Sequence, residues 1–329
     1  METLTGPPLR AAADYLDYSE RDDRFSAGIR MIPIDTPNGR FKVWTRRIGN
    51  NPDARVLLLH GGPGGTHEYL EAFDSYFPAA GIEYYYYDQL GSMFSDQPDD
   101  PTLWTIDRFV DEVEQVRLAL GLSSSNFYLY GQSWGGILAI EYALRHQGQL
   151  KGLIISNMMA SMVAYNDYAK NVIMPRMDPA VLAEIQSFEA NEDFENPRYQ
   201  ELLLEHHYTH HVLRMPVEQW PDSVNRAFAH LNTRIYIPMQ GPSELGASGV
   251  LADWDRTSDL KNINVPALVI GGRHDTMDPE HLIWMANQIP QGHAHICHNG
   301  SHMALYDDQE NYFAGLISFI REVEGHPEG

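Results

Sequence analysis

Several short stretches of the chain are continuously hydrophobic and end in glycine or in a polar residue. Two of them are "ARVLLLHGG", from residue 54, and "IEYYYYDQLG", from residue 82. Similar runs occur at "FYLY", "LKGLIISNM" and "VPALVIGG", and "AHICH" is interpreted as a further short strand. A run of this kind is typical of a strand that is buried on both faces of a sheet. The pattern therefore predicts a sheet that is covered on both sides.

Between these runs, hydrophobic residues recur at helical spacing. In residues 105–122 they lie three and four positions apart, and Gly121 marks the end of the predicted helix. A further helix is predicted at residues 137–144, a few residues after "FYLY". Near the start, "MIPID" and "FKVWTRR" flank the turn "TPNGR" and predict a β-hairpin. Strands that alternate with helices predict an α/β fold with a doubly wound, mostly parallel sheet.

The alternation of strands and helices is interrupted once. Residues 158–255 contain helical stretches broken by prolines and show no clear buried strand. Because the alternation resumes afterwards, we expect residues 1–157 and 256–329 to form the two parts of one α/β core. Residues 158–255 are expected to form an inserted helical cap. The first thirty residues are polar and poorly patterned, which predicts a loose arm at the start of the chain.

Composition narrows the class of protein. The 329 residues are 43% hydrophobic and 21% charged, as in soluble globular proteins. The net charge of −22 argues against a nucleic-acid partner, because phosphate attracts basic proteins. No hydrophobic run approaches about 18 residues and no secretory leader pattern is visible, so no membrane partner is expected. The single Cys297 excludes an internal disulfide and is typical of a reducing compartment, which predicts a cytoplasmic protein.

The segment "YGQSWGGIL", residues 130–138, places one serine between two glycines where a predicted strand meets a predicted helix. Gly131 and Gly135 permit close backbone contacts that a Cβ would prevent. The motif G-x-S-x-G between a strand and a helix is the nucleophile elbow of α/β-hydrolases. The alternative is an ordinary Gly/Ser turn, which would need no partner residues. In this fold the partners of a nucleophilic Ser133 follow as an acid and then a histidine.

A carboxylate and a histidine do follow in that order. Asp275 comes directly after the run "ALVIGG", at the expected end of a strand. Its rival Asp278 precedes Pro279 and so has the signature of a helix N-cap. His302, in "NGSHMALYDDQE", lies in the loop ahead of the last predicted helix. We predict a Ser133–His302–Asp275 triad, in which the imidazole removes the serine proton and the carboxylate fixes the tautomer of the imidazole.

The glycine-rich segment "HGGPGG", residues 60–65, follows the first buried run and resembles the oxyanion loop of α/β-hydrolases. We expect the backbone N–H groups of Gly61 or Gly62, together with that of Trp134, to stabilise negative charge on a substrate oxygen. The alternatives are a simple Gly/Pro turn and a phosphate-binding loop. The segment lacks the Lys-Ser/Thr ending of a P-loop and the spacing of a dinucleotide-binding loop.

Three motifs taken together, "HGGPGG", "YYDQLGSMFSD" and "GQSWGG", resemble those of the proline iminopeptidases. Members of this family are α/β-hydrolases that release an N-terminal residue, usually proline, from small peptides. The resemblance covers residues 30–322 and implies a serine aminopeptidase that needs no cofactor. Its substrate would be a small peptide or aminoacyl amide with a free N-terminus. Amidases of amino-acid amides and general esterases on the same fold are the alternative.

The resemblance also implies where the substrate amine binds. The segment "GPSELGASGVLADWD" is similar to the stretch of the family that carries an amine-binding glutamate, which corresponds to Glu244. A second such glutamate is expected in "LLLEHHYTHHVLR", where Glu205 matches best. Carboxylates near the nucleophile would hold a free α-ammonium by charge-assisted hydrogen bonds. The alternative for both residues is a solvated acid on a helical cap. Gln132 stands where relatives often carry His, and we expect the mechanism not to require its side chain.

The segment "EHHYTHH", from residue 205, contains two histidine pairs four residues apart. Because no acidic ligand accompanies them as in H-E-x-x-H, and the two pairs project in different directions, we expect no metal site. A non-catalytic binding module on this fold would have lost a member of the triad. An epoxide hydrolase or dehalogenase would carry Asp in place of Ser133. The sequence therefore favours a serine hydrolase.

Overall fold

The computed structural model describes residues 6–326, and it contains a mixed eight-stranded sheet with helices on both faces. In chain order the strands are β1 (Ile29–Thr36), β2 (Gly39–Ile48), β3 (Arg55–Leu59), β4 (Glu83–Asp88), β5 (Phe127–Gln132), β6 (Gly152–Ser156), β7 (Ala267–Gly272) and β8 (Gly292–Cys297). Across the sheet their order is β1-β2-β4-β3-β5-β6-β7-β8. The pairs β1–β2 and β2–β4 are antiparallel, and the other pairs are parallel. The predicted α/β class, the mostly parallel sheet and the hairpin are confirmed.

The α-helices of the described part of the chain lie before, within and after the inserted segment. They are α1 (Ala12–Tyr15), α2 (Phe77–Ala80), α3 (Ile106–Ala119), α4 (Trp134–His146), α5 (Met162–Tyr168), α6 (Pro179–Ala190), α7 (Pro197–Leu203), α8 (Asp222–Ala229), α9 (Thr233–Met239), α10 (Pro279–Gln288), α11 (Ala304–Asp307) and α12 (Gln309–Val323). Two π-helical segments continue α5 and α7, at Ala169–Ile173 and Leu204–Val212. The longest 3-10 segment is Glu68–Ser75. Among the described residues, no helix combines the length and the hydrophobicity needed to cross a membrane.

Each face of the sheet is covered by its own hydrophobic core. Alternate residues of a strand point to opposite faces. In β3, Leu57 and Leu59 therefore enter the core formed with α3, α4 and α10, whereas Val56 and Leu58 enter the core formed with α12. All four side chains are fully buried, which stabilises the fold by roughly 1.5–3 kcal/mol for each of them. This burial on both faces explains the continuous hydrophobic runs of the sequence.

Residues 6–28 are mostly exposed, as expected of an arm at the start of the chain, but Tyr15 anchors this segment to the core. The hydroxyl of Tyr15 donates to the carbonyl of Ile82 at 2.9 Å, and only 2% of the residue is exposed. Its ring occupies the space above Gly49, where a Cβ would lie 2.3 Å from the ring. A single aromatic anchor has no periodicity, and this is why the hydrophobic pattern does not indicate it. The remainder of the predicted arm, residues 1–5, lies outside the described residues.

Between β6 and β7 the chain forms a helical cap that consists of α5 to α9 and the two π-helical segments. An isolated β-bridge joins Ser161 to Asp255 near the two ends of the cap. The cap has a small hydrophobic core of its own around Ile185 and Tyr199. The predicted insertion of a helical cap is confirmed, while the domain boundaries at residues 158 and 255 stay a prediction.

One buried carboxylate connects the cap to the sheet domain. Glu68, at the start of the longest 3-10 segment, accepts a hydrogen bond from Arg226 of α8 at 2.5 Å. Nδ1 of His230 lies 2.7 Å from the other carboxylate oxygen of Glu68. We call Glu68, Arg226 and His230 the cap clamp. The clamp holds α8 against the 3-10 segment of the core.

Candidate active site

Ser133 lies at the sharp turn between β5 and α4. Its backbone φ of 54° and ψ of −124° are values that residues other than glycine rarely adopt. The flanking glycines allow the strand and the helix to touch: a Cβ on Gly131 would lie 1.9 Å from the carbonyl oxygen of Gly135, and one on Gly135 would lie 2.3 Å from that of Leu59. The structure therefore has the strand–turn–helix geometry that the G-x-S-x-G motif predicts, with Ser133 at its apex.

Asp275 and His302 lie side by side after β7 and β8. The distance between Nδ1 of His302 and Oδ1 of Asp275 is 2.7 Å, and both side chains are buried. Burial lowers the pKa of His302, but the charge of Asp275 and the hydrogen bond to it raise the pKa by more, so that it lies above the ordinary 6.5. A carboxylate on Nδ1 leaves Nε2 as the proton acceptor. Ser133 and His302 line the same cavity.

Asn157 holds the carboxylate of Asp275 in place. Its Nδ2 donates to Oδ2 of Asp275 at 2.6 Å and to the carbonyl of Ser301 at 3.0 Å. The residue follows β6 directly, with a φ of 50°, and is fully buried. Sequence reasoning missed this role, because an asparagine at the end of a strand also has the signature of a turn residue.

The rival carboxylate has the role that its neighbour Pro279 predicts. Asp278 is the N-cap of α10, and its Oδ1 accepts a hydrogen bond from the backbone N–H of Glu280 at 3.0 Å. The prediction that Asp278 caps a helix is confirmed. This leaves Asp275 as the carboxylate that lies beside His302.

The backbone donors of "HGGPGG" differ in their availability. The N–H of Gly61 donates to the hydroxyl of Tyr69 at 2.7 Å, so it is already engaged. Among the described residues, the N–H groups of Gly62 and Trp134 have no hydrogen-bond partner. Of the three donors expected from the sequence, Gly62 and Trp134 are the two that can receive a substrate oxygen without breaking an existing bond.

Gln132 makes more contacts than its sequence context indicated. Its Oε1 accepts from the hydroxyl of Tyr69 at 2.7 Å, and its Nε2 donates to the carbonyl of His302 at 3.0 Å. The side chain is 2% exposed. The structure therefore gives the Gln132 side chain two buried hydrogen bonds, while the expectation that the mechanism does not require this side chain stays a prediction.

A cavity of about 420 Å³ separates the core from the cap. Core residues that line it include Gly62, Ser133 and His302. The cap contributes aromatic side chains, among them Tyr208, Phe228 and Tyr236, together with aliphatic and polar residues. Two acidic side chains line the cavity, Glu195 and Glu244, and the titratable His302 lines it as well. No lysine or arginine is among the lining residues. The cavity therefore suits a small substrate that carries a positive charge and a hydrophobic ring.

Glu244 is held in this cavity by hydrogen bonds that leave one oxygen free. Its Oε1 accepts from the hydroxyl of Tyr236 at 2.6 Å. Its backbone carbonyl accepts from the hydroxyl of Tyr165 at 2.8 Å and lies 2.9 Å from Nε2 of His207. Its Oε2 is buried and has no hydrogen-bond partner among the described residues. A buried carboxylate oxygen without a donor is costly, and a cationic ligand would supply one.

The structure does not bring Glu205 to the same place. The side chain of Glu205 is 57% exposed, 3.9 Å from His206, and it is not part of the cavity lining. Tyr208 and Val212, on the same π-helical segment Leu204–Val212, do line the cavity. The sequence could not show this, because a π-helix has a longer period than the α-helix that the pattern assumes.

The histidines near Glu205 have structural contacts. Burial lowers the pKa of His207 to about 3, so this side chain is neutral where it meets the carbonyl of Glu244. Nδ1 of His211 lies 2.9 Å from the carbonyl of His274. In residues 6–326 there is no group of three or more side chains arranged to hold a metal ion.

Comparison with known proteins identifies the family of this chain. The family described as "alpha/beta hydrolase fold" matches residues 54–309. A proline iminopeptidase from Chitinophaga pinensis is 54% identical over 293 residues, which cover 89% of this chain and 98% of the relative.

Solved structures are similar as well. The crystal structure of VinJ superposes with a TM-score of 0.82 at 29% identity, covering 89% of this chain and 99% of VinJ. A proline iminopeptidase from Mycobacterium smegmatis gives a TM-score of 0.76 at 29% identity, covering 90% of this chain and 98% of that protein. The chain therefore belongs to the proline iminopeptidase family of the α/β-hydrolase fold.

Proposed function

We propose that this protein is a serine aminopeptidase that releases an N-terminal residue, preferably proline, from small peptides or amides in the cytoplasm. Ser133 is the nucleophile, His302 the base and Asp275 the acid of the triad. The observation that carries the proposal is that Glu244 lines the same cavity as Ser133 and His302 and that its buried Oε2 has no hydrogen-bond partner among the described residues. An enzyme that selects substrates with a free amine needs such a carboxylate to bind the ammonium group, whereas a general esterase does not.

The placement of Ser133 and His302 in the lining of one cavity, with Asp275 beside the imidazole, supports an acyl-enzyme mechanism. Nε2 of His302 takes the proton of the Ser133 hydroxyl as its oxygen attacks the substrate carbonyl. The N–H groups of Gly62 and Trp134 receive the negative charge that develops on the carbonyl oxygen. His302 then returns the proton to the leaving amine, so that the C–N bond breaks and an ester to Ser133 remains. A water molecule, activated by the same imidazole, hydrolyses the ester and releases the amino acid.

Glu244 supplies the selectivity for a free N-terminus. An unblocked proline presents a secondary ammonium whose N–H groups can donate to Oε2, which restores the missing hydrogen bond and adds a charge pair. An N-acyl group would remove this charge and leave the carboxylate buried without a partner. The proline ring has a fixed φ, so it loses little conformational freedom in a closed cavity. Phe228 and Tyr236 provide apolar surface for the ring.

Amino-acid amides are favoured as second substrates by one specific observation. No lysine or arginine lines the cavity, so no cationic side chain is placed there to bind the C-terminal carboxylate of a dipeptide. Substrates with an uncharged leaving group, such as amides and longer peptides, avoid the cost of bringing a second carboxylate close to Glu195 and Glu244.

The experiment that tests the function compares proline p-nitroanilide with its N-acetyl counterpart. The free amine should be hydrolysed and the N-acetyl compound should not. Ser133→Ala should reduce kcat by several orders of magnitude, as in other serine hydrolases, with an unchanged circular-dichroism spectrum. Equal hydrolysis of both compounds would identify a general amidase, and more than a tenth of wild-type turnover in Ser133→Ala would exclude Ser133 as the nucleophile.

A further inference from the structure

A continuous chain of hydrogen bonds connects the three loops that carry the proposed catalytic groups. The N–H of Gly61 donates to the hydroxyl of Tyr69 at 2.7 Å, and this hydroxyl donates to Oε1 of Gln132 at 2.7 Å. Nε2 of Gln132 then donates to the carbonyl of His302 at 3.0 Å. Gly61 precedes the proposed oxyanion donor Gly62, and Gln132 precedes Ser133. The chain of bonds therefore runs from the oxyanion loop, through the elbow, to the loop of the base.

Each link of this chain has a defined direction. The hydroxyl of Tyr69 accepts from a backbone N–H, so its own proton is left for Gln132. Burial raises the pKa of Tyr69 well above 10, so the hydroxyl keeps that proton across the working pH range. The amide of Gln132 must then present its oxygen to Tyr69 and its nitrogen to His302. An amide can satisfy both contacts at once, and a purely hydrophobic side chain can satisfy neither.

The packing around the chain leaves little room for adjustment. Tyr69 is 5% exposed and Gln132 is 2% exposed. A Cβ on Gly61 would lie 2.9 Å from Oε1 of Gln132 and 3.1 Å from Cβ of Ser133. The oxyanion loop therefore rests directly on the elbow, and the tyrosine and glutamine side chains fill the space between them. Replacing either side chain would therefore shift the positions of Gly61 and of the His302 backbone.

We propose that Tyr69 and Gln132 are positioning residues that hold the N–H of Gly62 and the imidazole of His302 in register with Ser133. The inference rests on the catalytic roles proposed above for these three residues. It also assigns a role to Gly61, whose N–H serves the positioning chain and leaves Gly62 and Trp134 as the oxyanion donors. Transition-state stabilisation by preorganised donors depends steeply on their placement. Loss of the chain should therefore reduce kcat more than it raises KM.

The test uses Tyr69→Phe and Gln132→Met, with proline p-nitroanilide as substrate. Each variant should reduce kcat by about 10-fold or more and change KM by less than about 3-fold. The kcat of the double variant should be about equal to that of the slower single variant, because the two side chains act as one unit. Gln132→His should recover most of kcat, since a neutral imidazole also offers one donor and one acceptor.

Tyr86→Phe is the matched control. Tyr86 is a buried tyrosine on β4 that does not line the cavity; its hydroxyl donates to Asp74 at 2.6 Å and lies 3.4 Å from the carbonyl of Leu70. This variant loses a comparable hydrogen bond and should keep the wild-type kcat. Urea unfolding of every variant separates loss of folding from loss of positioning. If Gln132→Met does not fold, Tyr69→Phe, which removes a single oxygen atom, still decides the question.

Two outcomes would overturn the inference. Wild-type kcat in Tyr69→Phe would show that the chain does not position the catalytic groups. A higher kcat in Tyr69→Phe would show that the hydroxyl competes for a Gly61 N–H that serves as oxyanion donor. Ser133→Ala separates these results from a failure of the proposed function. If Ser133→Ala is inactive while Tyr69→Phe is fully active, only the positioning role is excluded. If Ser133→Ala is active, both the proposed function and the positioning role are excluded.

Discussion

Oδ1 of Asp275 lies 2.7 Å from Nδ1 of His302, while Oδ2 of the same carboxylate accepts from Nδ2 of Asn157 at 2.6 Å. Backbone N–H donation from Met277 at 3.0 Å completes this arrangement. The carboxylate is therefore held from two sides with one oxygen directed at the imidazole. This geometry selects the tautomer in which Nδ1 carries the proton and Nε2 can accept one.

The first prediction separates the two neighbouring carboxylates. Asp275→Asn should reduce kcat by a factor on the order of 10⁴, because an amide no longer selects the correct tautomer of His302. Asp278→Ala should keep kcat and lower the free energy of unfolding by about 1 kcal/mol, the usual value of a lost N-cap. Steady-state kinetics and urea unfolding of both variants measure this. The reverse pattern would assign the triad role to Asp278.

The second prediction concerns pH. Because the pKa of His302 is raised above 6.5, the neutral imidazole that accepts the serine proton is lost as the pH falls through this raised value. We therefore expect the acidic limb of kcat/KM to have its midpoint above pH 6.5. A profile between about pH 5 and pH 9 measures it. In Asp275→Asn the residual activity should show this limb at lower pH, and a wild-type profile that is flat down to about pH 5 would exclude a histidine base.

The third prediction concerns the amine site. Glu244→Gln keeps the shape of the side chain and removes its charge, so kcat/KM for proline p-nitroanilide should fall by about 10-fold or more, which corresponds to at least about 1.4 kcal/mol. Glu205→Gln should change kcat/KM by less than about 2-fold, because its side chain is 57% exposed and outside the cavity lining. A large loss in Glu205→Gln with none in Glu244→Gln would reverse the assignment made from the structure.

The fourth prediction concerns the cap clamp. Glu68→Gln should lower the free energy of unfolding by about 2 kcal/mol and raise KM, because Arg226 loses its buried partner and α8 carries part of the cavity wall. Glu71→Gln is the control: Glu71 pairs with the same arginine, but it is 38% exposed, so the loss should stay below about 1 kcal/mol. Urea unfolding and the KM for proline p-nitroanilide are the readouts.

The clamp also predicts a pH dependence of stability. Burial raises the pKa of Glu68, but hydrogen bonds from His230 and Arg226 lower it by more, so the net shift is downward from 4.5. A carboxyl whose pKa is lowered by folding stabilises the protein above its unfolded pKa and loses this contribution as the pH falls. Glu68→Gln should therefore cost the most stability near neutral pH and little well below about pH 4. An equal loss of stability at both pH values would exclude the charge of Glu68 as the cause.

Much of the fold was predictable because its signals are local. The hydrophobic runs that became β3 to β7 are continuous, since both faces of the sheet are covered. The position of Ser133 followed from glycines that the backbone contacts require. The N-cap of α10 was predictable from two adjacent residues, Asp278 and Pro279. In each case the signal in the sequence lies within a few adjacent positions, even where the contact that requires it is with a distant segment, so a pattern can record it.

What the sequence did not show depends on contacts between distant segments. Asn157 reaches Asp275 across 118 positions, and Gln132 reaches His302 across 170. The position of Glu205 depends on a π-helical segment, whose longer period the α-helical spacing assumed from the sequence does not reveal. Tyr15 anchors the start of the chain through one buried ring. Such contacts have no local signature, because neither partner needs a neighbour of a particular type.

At Ser133 the stability of the fold and the proposed reaction favour different residues. A φ of 54° with a ψ of −124° costs a side-chain-bearing residue about 1–3 kcal/mol, and glycine would avoid most of that cost. Selection for stability alone would therefore favour glycine at this position, and glycine would remove the proposed nucleophile. Under the proposed mechanism the serine is kept for its reactivity, and the tightly packed β5 and α4 around it offset the cost of the turn.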